Sequence, residues 1–113
     1  MLPTASRMRR STDFTAVVRG GVRVRGGALV VHHRRELGPH PARVGLVVGR
    51  TVGGSVVRHR VSRRLRAQLA DRLDRLPEGS GTVVRALPET AEASSAELGR
   101  ALDKAFDRLA ARS

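Results

Sequence analysis

The stretch that decides the fold is residues 53–76, GGSVVRHRVSRRLRAQLADRLDRL. Within it Val57, Val61, Leu65, Leu69, Leu73 and Leu76 recur at intervals of three and four. On a helix of 3.6 residues per turn they form one apolar stripe, which needs a partner surface to bury it. Gly53-Gly54-Ser55 opens this helix, and Pro77 to Gly81 breaks it. The spacing therefore predicts one long helix reaching to about Leu76. Just upstream, Arg43 to Gly49 (RVGLVVG) is a short, mostly apolar run suited to a buried strand.

Working outward, Ser11-Thr12-Asp13 places capping side chains ahead of Phe14, Val17 and Val18, and Gly20-Gly21 supplies a stop. That predicts a short helix over about 11–19. Val22 to Val24 and Ala28 to His33 read as one strand interrupted at Gly26-Gly27, with the glycines forming a bulge or bend. Gly38, Pro39 and Pro41 make 34–41 a loop. Downstream, Thr82 to Leu87 reads as a short strand and Pro88 to Ala93 as a polar link. Ser94 or Ser95 caps a last helix that buries Leu98, Leu102, Ala105, Phe106 and Leu109. The expected architecture is α+β: a two-layer sandwich in the order α-β-β-α-β-α, with an extra strand if the glycine-split segment divides. One domain over 1–113 accommodates it.

Charge separates the two halves of the chain. Residues 1–66 hold 15 arginines against Asp13 and Glu36, whereas residues 67–113 hold seven basic residues and eight acids. A net charge of +12 gathered in one region is the footprint of a polyanion-binding surface. Arginine accounts for all the basic residues except Lys104. Its planar fork suits phosphate and base recognition, and a GC-rich genome would favour the same codons. On a helical wheel Arg60, Arg63 and Arg64 fall opposite the stripe of Val57, Val61 and Leu65, with His59 and Arg66 on a flank. No acid occurs between Glu36 and Asp71 to pair with them. Uncompensated repulsion of that kind points to a polyanion rather than to a solvated face.

Other chemistries fail on their residues. Cysteine is absent, so disulfides, thiolate metal sites and thiol nucleophiles are excluded. Gly49 to Gly54 has the spacing of a phosphate loop, but Ser55 stands where that loop needs lysine. His32 and His33 are adjacent on a strand and point to opposite faces, and His40 and His59 form no ligand pair with them. The basic half offers only two carboxylates for a protein-borne metal nuclease. Phe14 stays open between two roles, stacking an unpaired base beside Arg9, Arg10 and Arg19 or packing with Val17 and Val18. No apolar run is long enough to span a membrane, and no secretory pattern opens the chain, so the expectation is a cytoplasmic protein without membrane association.

Arg58-His59-Arg60-Val61-Ser62-Arg63-Arg64-Leu65-Arg66, preceded by Val52-Gly53-Gly54-Ser55-Val56, resembles the Arg-Asn-Arg signature helix of the bacterial ribonuclease P protein family. Met8-Arg9-Arg10 with Asp13-Phe14, Val44 to Val48, and Thr82 to Pro88 resemble that family's flanking segments in the same order. His59 stands where the family has Asn, Ser62 where Lys is usual, and Gly49-Arg50-Thr51 where Ser-Lys-Lys is usual. The resemblance implies a left-handed β-α-β crossover and an endoribonuclease whose catalyst is an RNA subunit. That RNA uses Mg²⁺ to release the 5′ leader of precursor tRNA. The protein would supply no catalytic side chain, bind no cofactor or metal of its own, and pair 1:1 with the RNA. Arg50, Arg58, His59, Arg60, Arg63, Arg64 and Arg66 would contact the RNA subunit. Phe14, His32, Arg9 and Arg10 would line a cleft for the single-stranded leader. A basic ribosomal protein of similar build, binding RNA without any catalytic assembly, is the alternative.

Overall fold

The computed structural model describes residues 2–112. After a 3-10 turn at Thr4–Ser6, the chain forms α1 (Ser11–Gly20), β1 (Val22–Gly26), β2 (Leu29–Arg34), β3 (Arg43–Val47), α2 (Ser55–Ala70), β4 (Gly81–Ala86) and α3 (Ser95–Ala111). The strands make one sheet in the order β1-β2-β4-β3. β1 pairs antiparallel with β2, β2 antiparallel with β4, and β3 parallel with β4. β3, α2 and β4 therefore form a β-α-β unit whose two strands are neighbours.

Alternation along the strands sorts residues between two faces. Val24, Leu29, Val31, Val44, Val84 and Ala86 point to one side, where they join Val61, Leu65 and Leu69 of α2 and Leu98, Leu102, Ala105 and Phe106 of α3 in the main core. The other side carries a smaller cluster in which Met8 and Val17 pack on Val83, with Phe14 and Leu37 against them. α1 thus covers part of the far face; on the rest Arg23, Arg25 and Arg85 are exposed, while Val30 and His32 between them are buried.

The glycine-split segment is two strands and not one bent strand. Gly26 pairs with Leu29, which leaves Gly27 and Ala28 as a two-residue hairpin turn. Gly27 takes φ +52, a conformation open to glycine at little cost. Gly26 must also lack a side chain, because a Cβ there would run into the Ala101 carbonyl of α3.

The second departure is at the end of the long helix. α2 stops at Ala70, and Leu73–Arg75 form a separate 3-10 turn. Asp71 and Asp74 are unfavourable at the negative end of a helix dipole, and Pro77 disfavours helical backbone at Leu76. The tighter turn still brings Leu76 into the core. α3 begins as expected: Ser94 accepts from the Glu97 backbone N–H, and the Glu97 carboxylate accepts from the Ser94 N–H at 3.0 Å. The link before it is a 3-10 turn at Pro88–Glu92, tied down by Thr90, whose hydroxyl donates to the Leu87 carbonyl at 2.7 Å.

Candidate nucleic-acid interface

Two basic surfaces emerge, one on α2 and one on the open face of the sheet. The loop leading into α2 is held by Val52, which is buried in the main core, and by a Val52 N–H bond to the Gly49 carbonyl at 3.1 Å. Arg50 is exposed in that loop. Gly54 caps α2 without any side-chain acceptor, and no acid stands in the first turn. The free N–H groups there are open to an anion.

The arginines of α2 divide into two sets. His59, Arg63 and Arg66 are exposed. Arg60 and Arg64, which the helical wheel put opposite the apolar stripe, lie instead along its border. Arg60 Nη2 donates to the Ala91 carbonyl at 3.1 Å, and Arg64 Nη1 to the Ala93 carbonyl at 2.8 Å. The reason is the packing of the Pro88–Glu92 turn and the start of α3 against one flank of α2. Long arginine stems reach across that flank and leave part of each guanidinium at the surface. Arg58 is also half-buried, and the Nε atoms of Arg58 and Arg60 have no protein acceptor among the described residues. Val56, one turn before Arg60, is exposed, and with Ser55, His59, Arg60 and Arg63 it lines a shallow depression.

The open sheet face is built from two cross-strand rows. One runs Arg23, His32, Val83, Gly45, and the other Arg25, Val30, Arg85, Val47. Directly opposed residues share a face, so three arginines flank a strip containing His32 and Val30. His32 has its pKa lowered first by burial and then by Arg85 and Arg23, which favours the neutral ring near pH 7. Phe14 lies over Gly45, in the space a side chain there would occupy, and is half-buried. One part of the Phe14 ring therefore packs on the sheet and another remains accessible. Two strand spacings separate Gly45 from His32, roughly 10 Å. Arg43 holds α1 in place through Asp13 at 3.6 Å. The Met8 N–H donates to the Val44 carbonyl at 2.9 Å, which sets the exposed Arg9 and Arg10 between the edge strand β3 and α1.

Sequence reading missed Arg23, Arg25 and Arg85. The signal was present in Val22-Arg23-Val24-Arg25, whose alternation of period two marks a strand with one basic face. His33, by contrast, points to the helix side, with Nδ1 2.9 Å from the Thr82 hydroxyl. Among the described residues no three His, Asp or Glu side chains gather where they could hold a metal ion, and no helix is long and apolar enough to cross a membrane.

The ribonuclease P family profile matches residues 2–110. The chain belongs to the ribonuclease P family. A ribonuclease P protein component from Streptomyces bikiniensis is 50% identical over 117 residues, covering 96% of this chain and 95% of its own. One from Beutenbergia cavernae is 50% identical over 112 residues, covering 99% and 94%. The fold agrees with solved family structures. The Staphylococcus aureus ribonuclease P protein superposes with TM-score 0.83 at 18% identity, over 94% of this chain and 96% of that one. The Thermotoga maritima protein gives 0.75 at 22% identity, over 89% and 96%.

Proposed function

We propose that this chain is the RNA-binding subunit of a ribonuclease P, assisting a catalytic RNA in removing the 5′ leader from precursor tRNA. The observation that carries the proposal is the pairing of two distinct surfaces on one small domain. The first is the start of α2, where Arg50, His59, Arg63 and Arg66 are exposed and no carboxylate pairs with them among the described residues. Together with Arg58, Arg60 and Arg64 and the uncapped helix start, it suits a folded RNA backbone. The second is the strip between α1 and β1, narrow and flanked by arginines, with the Phe14 ring and the His32 imidazole at roughly the separation of a few stacked bases. That geometry suits a single strand whose bases are free to stack.

In this reading the cleavage chemistry, with its Mg²⁺, belongs to the RNA subunit. The residues described here bind and orient. The α2 arginines hold the RNA subunit, Arg9, Arg10, Arg23, Arg25 and Arg85 track the leader phosphates, and Phe14 and His32 contact leader bases. Holding both RNAs at once converts leader placement into an intramolecular event, which lowers the Mg²⁺ needed for productive binding.

The test is reconstitution of the protein with ribonuclease P RNA from a close relative and a precursor tRNA at low Mg²⁺. The expected result is cleavage at the mature 5′ end that depends on both components, with neither active alone under these conditions. Cleavage by the protein alone, or an RNA activity indifferent to the protein, overturns the proposal. Equal affinity for precursor and mature tRNA removes the leader assignment.

A further inference from the structure

A cavity of about 400 Å³ lies at the end of the sheet beside α1, with Arg34 on the same sheet face as His32 and with Val22 and His33 on the helix side. It shares no lining residue with the two surfaces just described and falls within the size range of small-molecule sites. It sits where the ends of α1 and α3 meet the start of β1 and the end of β2. His33 on its wall faces the helix side of the sheet, opposite His32. It is also at the far end of the helix layer from His59, since contacts between α2 and its partner segment climb from Arg60 with Ala91 to Arg75 with Asp107.

The lining combines two kinds of surface. Val22, Leu76, Pro77 and Leu109 supply apolar walls, while Arg34, Arg35 and Arg112 supply guanidinium groups. Among the described residues none of these three arginines has a carboxylate partner and no acid lines the cavity. Arg75 differs, because it is neutralised by Asp107 at 2.7 Å. A bare phosphate would gain nothing from the apolar walls, and an apolar peptide would leave three cations uncompensated. A nucleotide uses both: its base is desolvated against the walls or stacked on a guanidinium plane, and its phosphate takes the remaining charge.

We propose that this cavity binds a single unpaired nucleotide of an RNA chain, as a contact separate from α2 and from the open sheet face. That the nucleotide belongs to RNA rests on the proposed function, but the cavity can be tested on the free protein. The experiment is a titration of the isotope-labelled full chain with AMP, adenosine, ribose 5-phosphate and a short acidic tyrosine-containing peptide, followed by backbone amide shifts. AMP should shift Gly21, Val22, Arg34 and Ala110 saturably. Adenosine and ribose 5-phosphate should bind at least about tenfold more weakly, the loss expected when a charged hydrogen-bonding group or the buried base is removed. The variant Arg34→Gln/Arg112→Gln should lose the same factor while keeping shifts at Val30 and Arg63. AMP shifts confined to α2 and the sheet face overturn the proposal, as does ribose 5-phosphate binding as tightly as AMP or the peptide binding more tightly. Should the double variant disturb the fold, the comparison of ligands on the unaltered chain decides alone. Loss of this site leaves reconstituted tRNA cleavage as an independent test of the function.

Discussion

α2 and the short segment that follows it are both rich in arginine but opposite in electrostatics. Within α2, Arg63 and Arg66 are exposed and no carboxylate pairs with them among the described residues. Just past its end, Arg72 makes a two-point contact with Asp103 at 2.7 and 3.2 Å, and the 3-10 turn at Leu73–Arg75 puts Arg75 on Asp107. The Arg72 guanidinium draws the Asp103 carboxyl below its ordinary pKa. A run of arginines in a sequence is therefore not yet a binding surface. What matters is whether a neighbouring element brings acids to meet it, and α3 does so only along its second half. The segment after the helix is held by ion pairs, and the helix itself is left with charge to give to a partner.

The largest effect should come from removing the free arginines of α2. Arg63→Ala/Arg66→Ala should cost RNA-subunit affinity on the order of 3 kcal/mol if each side chain makes one charged contact. Folding should change by about 0.5 kcal/mol or less per site, measured by denaturant unfolding. A destabilised domain with full RNA affinity would reverse the assignment of the two regions.

Next in size is the sheet face. Phe14→Leu keeps most of the packing over Gly45 but removes the flat ring. The ratio of precursor to mature tRNA affinity should fall by about 1–3 kcal/mol, the value of one base stack. Stability should drop by less than about 1.5 kcal/mol. An unchanged ratio in a folded variant would reduce Phe14 to a packing residue.

The paired segment should behave in the opposite sense to the helix. Arg72→Ala should lower stability by about 1 kcal/mol, since the pair is only partly shielded from water, and leave RNA affinity within about twofold. Loss of RNA binding at intact stability would show that α3 does not neutralise this segment.

The smallest effect is on pH. His33 has its pKa lowered by burial and then by Arg35, and His32 is lowered as well. For a histidine whose folded pKa is depressed, the unfolded chain binds more protons below the ordinary value of 6.5. Stability should therefore be fully present above pH 6.5 and decline as the pH falls below it. His33→Asn should make that decline shallower, as read from thermal unfolding across pH. A decline of the same depth in the variant would assign the titration elsewhere.

Much of this was legible in the sequence, for physical reasons that differ by element. The stripe from Val57 to Leu69 and the Ser94–Glu97 cap are local patterns, and local patterns survive folding. The end of α2 was misplaced because Leu73 and Leu76 keep helical spacing and remain in or against the core, while the backbone beneath them changes to a 3-10 turn. At Gly26–Leu29 two glycines permit either a bend or a hairpin with an extra strand, and only the pairing of β1 with β2 decides. The wheel placed Arg60 and Arg64 opposite the core because a wheel knows one partner surface. The chain supplies a second in the 88–93 segment. Arg23, Arg25 and Arg85 come from two strands far apart in the chain, and only the sheet register brings them to one strip.

The most direct test of the central claim is the salt dependence of binding to ribonuclease P RNA, compared between two double variants. Each phosphate contact contributes about 0.7–0.9 to the slope of log affinity against log salt. Arg63→Ala/Arg66→Ala should flatten the slope by roughly 1.4–1.8 relative to the unaltered chain. Arg72→Ala/Arg75→Ala, in protein confirmed folded, should leave it unchanged. Equal flattening in both variants would contradict the account, because it would mean that the ion pairs to α3 do not distinguish the helix from the segment after it.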